Sequence, residues 1–127
     1  MNDRPDADNL LETARSVFMA EILPALPPAS RYTALMIANA MAIAQRGIAA
    51  GDAPLLAERE RLRSLLPEGA AEPAVGTLTD MLTGYNRRLI SGIRAGRYDG
   101  ETRAALLEHL RRTTEEKLAV SNPRLLK

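Results

Sequence analysis

Between Arg31 and Arg46 the chain reads RYTALMIANAMAIAQR and carries no charge between the two arginines. The strongly polar side chains inside it are Thr33, Asn39 and Gln45. A helix over this stretch has no wet face for three turns, and a helix that is apolar all round must be covered on every side. Ala34, Ala38, Ala40, Ala42, Ala44 and Gly47 are small enough for neighbouring backbones to come close. Two placements satisfy this. Residues 31–50 form the centre of a helical bundle, or Met36, Ile37, Met41 or Ile48 forms an exposed stripe that a second copy of the chain covers. On either placement a charge at Ala42 is expected to unfold the protein or break its oligomer, because it is buried unpaired. Asn39 is expected to need a partner for the same reason: a backbone group, its own copy in a dimer, water or a ligand.

The remaining chain also reads as helices. Alternating β-branched or aromatic runs, the mark of strands, are missing. A first helix is expected after Pro5, capped by Asp6 or Asp8, with Ala7, Leu11, Ala14, Phe18 and Ile22 as its apolar stripe. Pro24, Pro27 and Pro28 end it. A second runs from about Ser30 to Ala50, with Gly51 as its stop. Asp52 caps a third, whose inner face is Leu55, Leu62, Leu65 and Leu66 and whose solvated face is Glu58, Arg59, Glu60, Arg61 and Arg63. Residues 67–76, PEGAAEPAVG, read as a loop. Thr77 and Asp80 then form a capping box for a fourth helix, which buries Leu78, Met81, Leu82, Tyr85, Leu89 and Ile93 and ends at Gly96. Asp99 caps a fifth. Its expected inner stripe is Leu107, Leu110, Thr114 and Leu118, with Glu108/Arg112 and Arg112/Glu116 paired outside. Asn122-Pro123 closes it. The tail through Leu125 and Leu126 is apolar enough to dock on the protein or on a partner, with Asn122 bonded to backbone. The expected architecture is all-α, a compact bundle of about five helices in one domain over residues 1–127.

Composition narrows what such a bundle does. With 127 residues and 46% hydrophobic side chains the chain can bury a core, and with 3% aromatics that core is aliphatic. The absence of cysteine removes disulfides, thiolate catalysis and cysteine zinc sites. The start is acidic and polar, unlike a signal peptide. The uncharged run from Tyr32 to Gln45 falls short of the ~20 residues of a membrane span, so the cytoplasm is the expected location. Net charge is +1 overall, and the acids concentrate before residue 74 and the bases after it. No dense basic surface with groove-reading elements appears, so nucleic acid is not an expected partner.

Few residues suggest chemistry. His109 is the one histidine. The stripe assigned to the fifth helix turns it outward, and no carboxylate at i±3 or i±4 can orient it. One histidine without cysteine cannot make a typical transition-metal site, and Leu106 stands where a Glu-x-x-His di-metal motif needs glutamate. No nucleophile elbow or phosphate-cradling glycine loop is present. No catalytic residue, metal or cofactor is expected, and enzymatic activity is not the leading expectation. Arg87, Arg88, Arg94 and Arg97 form the one concentrated cationic segment; it reads as a solvated face, or as an anion site in which Arg87 and Arg94 grip a phosphate or carboxylate.

Four stretches, RPDADNLLE, IANAMAIAQR, NRRLISGIRAG and KLAVSNPRLL, together carry a likeness. The chain resembles a family of small bacterial all-helical domains of unknown function, found beside aminoglycoside-phosphotransferase-like and acyl-CoA-dehydrogenase-like proteins. The likeness rests on Arg4, Pro5, Asn39, Arg46, Asn86, Lys117, Asn122 and Pro123. It brings no catalytic residues. It implies a non-catalytic accessory role beside a phosphotransferase-like or acyl-CoA-processing enzyme, with a homodimer expected from the surplus apolar surface. The alternative is a bundle that binds an anionic phosphate or acyl-CoA-type ligand, or acts on it, through Asn39, Arg87, Arg94 and Lys117.

Overall fold

A computed structural model describes residues 6–67 and 76–127. Arg4 and Pro5 and most of the expected loop, 68–75, lie outside the described residues. The elements are α1 (Ala7–Val17), α2 (Pro28–Ala50), α3 (Ala53–Leu65), α4 (Leu78–Arg94) and α5 (Arg103–Ser121), and no strand occurs among the described residues. The fold is all-α with five α-helices, as the periodicity predicts.

The helix boundaries follow local chemistry. Asp6 caps α1 by accepting the backbone N–H of Asn9 at 2.9 Å. Pro24 has no N–H to continue the ladder, and the chain leaves α1 through one wide turn over Phe18–Ile22, where the N–H of Leu23 reaches back to the carbonyl of Phe18. A short 3₁₀ turn, Leu23–Ala25, follows. Leu26 and Pro27 are both extended, the conformation imposed on a residue that precedes proline. Pro28 does not end a helix; it opens α2 at the first helical position, where its missing N–H costs nothing. Gly51, at φ +60°, terminates α2. Asp52 stands at the start of α3, but its side chain makes no capping bond. Thr77 and Asp80 form the expected capping box of α4, with bonds of 3.0 and 3.1 Å.

The chain divides into two compact units. The first holds Met1–Gly51 and Leu118–Lys127. Here α1 packs along α2, whose buried residues are Ala34 and Ala38. Nε of Arg15 donates to the carbonyl of Ala38 at 3.2 Å. Nε of Arg46 donates to the carbonyl of Val120 at 2.7 Å and so ties the end of α5 to α2. The α1 stripe is weaker than its spacing suggests. Leu11 and Phe18 are half-buried, but Ala7, Ala14 and Ile22 are exposed, while the polar Asp8 and Arg15 are half-buried. At the C-terminus the carbonyl of Asn122 accepts the N–H of Leu125 in a 3₁₀ turn, and its side chain makes no capping bond.

The second unit, Asp52–Lys117, has the larger core: Leu62, Leu66, Leu82, Tyr85, Leu89, Tyr98 and Leu106, with Leu55, Leu65, Leu78 and Met81 packed against it. These include every residue assigned to the inner face of α3 and all but one of those assigned to α4. Ile93 is the exception and is exposed. The ring of Tyr98 takes its place. It lies over Gly92 so closely that a Cβ there would be 2.9 Å from Cε2, and its hydroxyl donates to the carbonyl of Leu65 at 3.0 Å.

The phase of α5 corrects the reading of its periodicity. Leu107, Leu110 and Thr114 are exposed and Leu118 is half-buried. The side facing the core carries Leu106 and His109, with Thr113 and Glu116 half-buried. Asp99 does not cap this helix, which begins at Arg103; Asp99 belongs to the preceding turn, its N–H donating to the carbonyl of Gly96.

Candidate functional site

Along α2 the positions Tyr32, Met36, Asn39, Ala40 and Ile43 follow one another at i, i+4, i+7, i+8 and i+11, the spacing of a single helical face. From Tyr32 to Ala40 this face is open in the single chain, and at Ile43 it becomes half-buried. Tyr32 is 74% exposed and Met36 52%, and Leu35 beside them is exposed as well; Ile37 and Ile48 are exposed on a different side of the helix. At its N-terminal end lies a groove of about 310 Å³ lined by Leu23, Pro24, Arg31 and Leu35. Within the first unit the charge-free run buries little of its own surface. Its buried side is the narrow Ala34/Ala38 strip, and most of its large side chains point outward.

Asn39 sits within this apolar face and is exposed. The expectation that its amide is buried is thus corrected for the single chain, where water can meet its hydrogen-bonding groups. Covered by another protein surface, the same amide would need a polar partner, a requirement that fixes register in packed helices.

The other residues marked for anion binding belong to the second unit. Arg87 and Arg94 lie seven residues apart on one side of α4, and both are exposed, as are Arg88 and Arg97. Among the described residues none of these four arginines forms an ion pair. Lys117 is exposed on α5. Asn39 belongs to the first unit, so the four residues of the expected ligand site are divided between two units.

The side-chain cluster that sequence reasoning missed joins α3 to α5. Arg61 donates through Nε to Nδ1 of His109 at 3.2 Å, through Nη2 to the hydroxyl of Thr113 at 3.1 Å, and through both terminal nitrogens to the carboxylate of Glu116. His109 is 3% exposed, which corrects its assignment to the surface, and Arg61 leaves the solvated face of α3. Glu58, assigned to that same face, is buried too. A guanidinium has no acceptor to offer, so Nδ1 must carry a lone pair and the neutral ring holds its proton on Nε2. Burial lowers the His109 pKa, the Arg61 charge lowers it further, and Glu116 opposes them. The ring is an acceptor locked into a structural network rather than a free acid or base. A signal was present: His109, Thr113 and Glu116 are spaced i, i+4 and i+7, one polar face that needs one polyvalent donor.

Glu116 is thereby taken from the expected pair with Arg112. Arg112 binds Glu108 at 2.9 Å, and Glu108 also receives Arg111, which in turn reaches Glu115. The bonds from Arg111 and Arg112 hold the exposed Glu108 carboxyl at a pKa of about 2. This outer ladder is solvated and exchangeable, and it contributes little to stability.

Among the described residues no group of three or more histidines and carboxylates could hold a metal ion, and no helix is long and apolar enough to cross a membrane. No curated protein and no solved structure matches the chain. A family model matches residues 24–125, from the 3₁₀ turn before α2 to the C-terminal 3₁₀ turn, and the chain belongs to that family, described as "Domain of unknown function (DUF6285)".

Proposed function

We propose that the chain is a non-catalytic helical interaction module that works in the cytoplasm as a homodimer, and that α2 supplies the surface covered by protein. The observation that carries this reading is the open face of Tyr32, Leu35 and Met36. Three large apolar side chains at i, i+3 and i+4 on one helix form a contiguous patch rather than scattered surface residues, and such patches mark interaction sites. A symmetric dimer is the commonest arrangement that covers such a face with itself. In it, Asn39 would meet its own copy, amide to amide, at the centre of the contact. The family resemblance adds a second kind of partner, a phosphotransferase-like or acyl-CoA-processing enzyme to which the dimer would be accessory.

A photo-crosslinking amino acid placed at position 36 in cells tests this reading, with the same amino acid at the exposed position 101 as control. A crosslink at 36 to the chain itself or to one enzyme, absent at 101, supports it. A monomer mass by light scattering together with no crosslink at 36 overturns it.

A further inference from the structure

A second feature of the first unit is independent of the α2 apolar face. A cleft of about 380 Å³ between α1 and α2 is lined by Asp8, Arg15, Ala42, Gln45, Arg46 and Ala49. The spacing explains why these six meet. Asp8 and Arg15 are i and i+7 on α1; Ala42, Gln45, Arg46 and Ala49 are i, i+3, i+4 and i+7 on α2. Each set is one face of its helix. Ala42 and Ala49 contribute little bulk, so the two faces do not close on each other. The volume falls within the range of small-molecule sites.

The polar groups are held and yet incompletely used. Arg15 is fixed by its Nε bond to the Ala38 carbonyl, and Arg46 by its Nε bond to the Val120 carbonyl. Each guanidinium has five N–H groups, and neither forms another hydrogen bond or an ion pair among the described residues. Asp8 lines the same cleft but lies beyond ion-pair distance of both, and its Oδ1 is buried without a hydrogen-bond partner. A buried carboxylate oxygen with no donor is costly. Two pinned guanidiniums, an amide and an orphan acceptor around one open volume match a molecule that offers oxyanion oxygens to the arginines and a donor to Asp8.

We propose that this cleft binds a small organic oxyanion, carboxylate or phosphate, that also carries a hydroxyl or ammonium group. Arg15 and Arg46 take the oxyanion in charge-assisted bonds. Asp8 takes the donor, and Gln45 offers either polarity. Asp8 also sets selectivity: it repels a bare anion and rewards one with a donor at the right end. The site changes what a charge at Ala42 does. A glutamate there stands four residues before Arg46 and beside Arg15, so it fills the cleft as a tethered ligand instead of being buried unpaired.

Isothermal titration of the full chain with glycerol 3-phosphate, L-malate and inorganic phosphate tests the site, with melting curves on every variant. Saturable one-to-one binding is expected for glycerol 3-phosphate or malate, tighter than for inorganic phosphate, and which of the two binds identifies the oxyanion. Asp8→Ala weakens the organic anion about tenfold and leaves inorganic phosphate unchanged or tighter. Ala42→Glu folds with an unchanged or raised Tm and loses binding of all three. Arg15→Lys keeps the charge, loses the fork geometry, and weakens the organic anion. The proposal is overturned by no binding of any probe up to about 10 mM. Binding that survives Ala42→Glu, an Ala42→Glu protein that fails to fold, or an Asp8→Ala variant that weakens inorganic phosphate as much as the organic anion overturns it equally.

Discussion

Arg61 on α3 donates its Nε–H to Nδ1 of His109 on α5, so a side chain from one helix decides which tautomer the protein's one histidine adopts. The same guanidinium bonds Thr113 and Glu116. Three polar groups on one face of α5 are thereby satisfied by one donor in the second unit.

Replacing Arg61 by methionine should keep the apolar stem and strand all three acceptors. A buried ring and two half-buried groups left without partners cost more than the bonds themselves contributed. Unfolding in urea should show a loss of about 2–4 kcal/mol. Glu116→Gln, which keeps an acceptor for Arg61, should lose less than half of that.

The lowered pKa of His109 has a sign that can be measured. The folded protein holds this ring neutral below the pH at which the unfolded chain protonates it, about 6.5. Its contribution to stability is therefore fully present above that pH and is lost as pH falls through 6.5 and below. Tm should drop between pH 7 and pH 5. His109→Asn, whose side-chain oxygen can still accept from Arg61, should be less stable at pH 7 and flatter across that window. An equal slope in both proteins would show that the ring is not the titrating group.

Two helical glycines should respond in opposite directions. At Gly92 a methyl group would lie 2.9 Å from the ring of Tyr98, a ring anchored to Leu65 by its hydroxyl. Gly92→Ala should destabilise by about 1–3 kcal/mol through overpacking. At Gly47 the nearest atom, Cγ1 of Val120, is at an ordinary 3.7 Å. Gly47→Ala should stabilise α2 by about 0.5–1 kcal/mol. Thermal melts of the two single variants provide the comparison.

The C-terminal residues should divide at Asn122. Leu125 and Leu126 are exposed, so removing 123–127 should change stability by no more than about 0.5 kcal/mol. Removing 118–127 takes away the Val120 carbonyl that holds Arg46 and the side chain packed beside Gly47, and should cost at least about 1 kcal/mol more. Equal melting of the two truncated chains would mean that the Arg46 bond does not anchor the end of α5.

The sequence by itself determined the elements. Prolines 24, 27 and 28, Gly51, the Thr77/Asp80 box and Gly96 act through their own backbone chemistry, and each acts within a few residues of its place in the chain. The inner faces of α3 and α4 were legible for the same reason, since Leu62, Leu66, Leu82, Tyr85 and Leu89 repeat with the helix and nothing competes for that side. Tertiary structure decided the rest, wherever a face had two readings. On α5 the leucine stripe and the His109/Thr113/Glu116 stripe were both regular, and an arginine 48 residues before His109 made the polar one the inner side. On α2 every side was apolar, so periodicity carried no phase; the small Ala34 and Ala38 went against α1 because only small residues allow that approach, and most of the large side chains were left facing out. The α1–α2 cleft was invisible for a related reason. Asp8, Arg15 and Arg46 are ordinary charges in the sequence, and they become a site only when two helices bring them together and two backbone carbonyls pin the arginines in place.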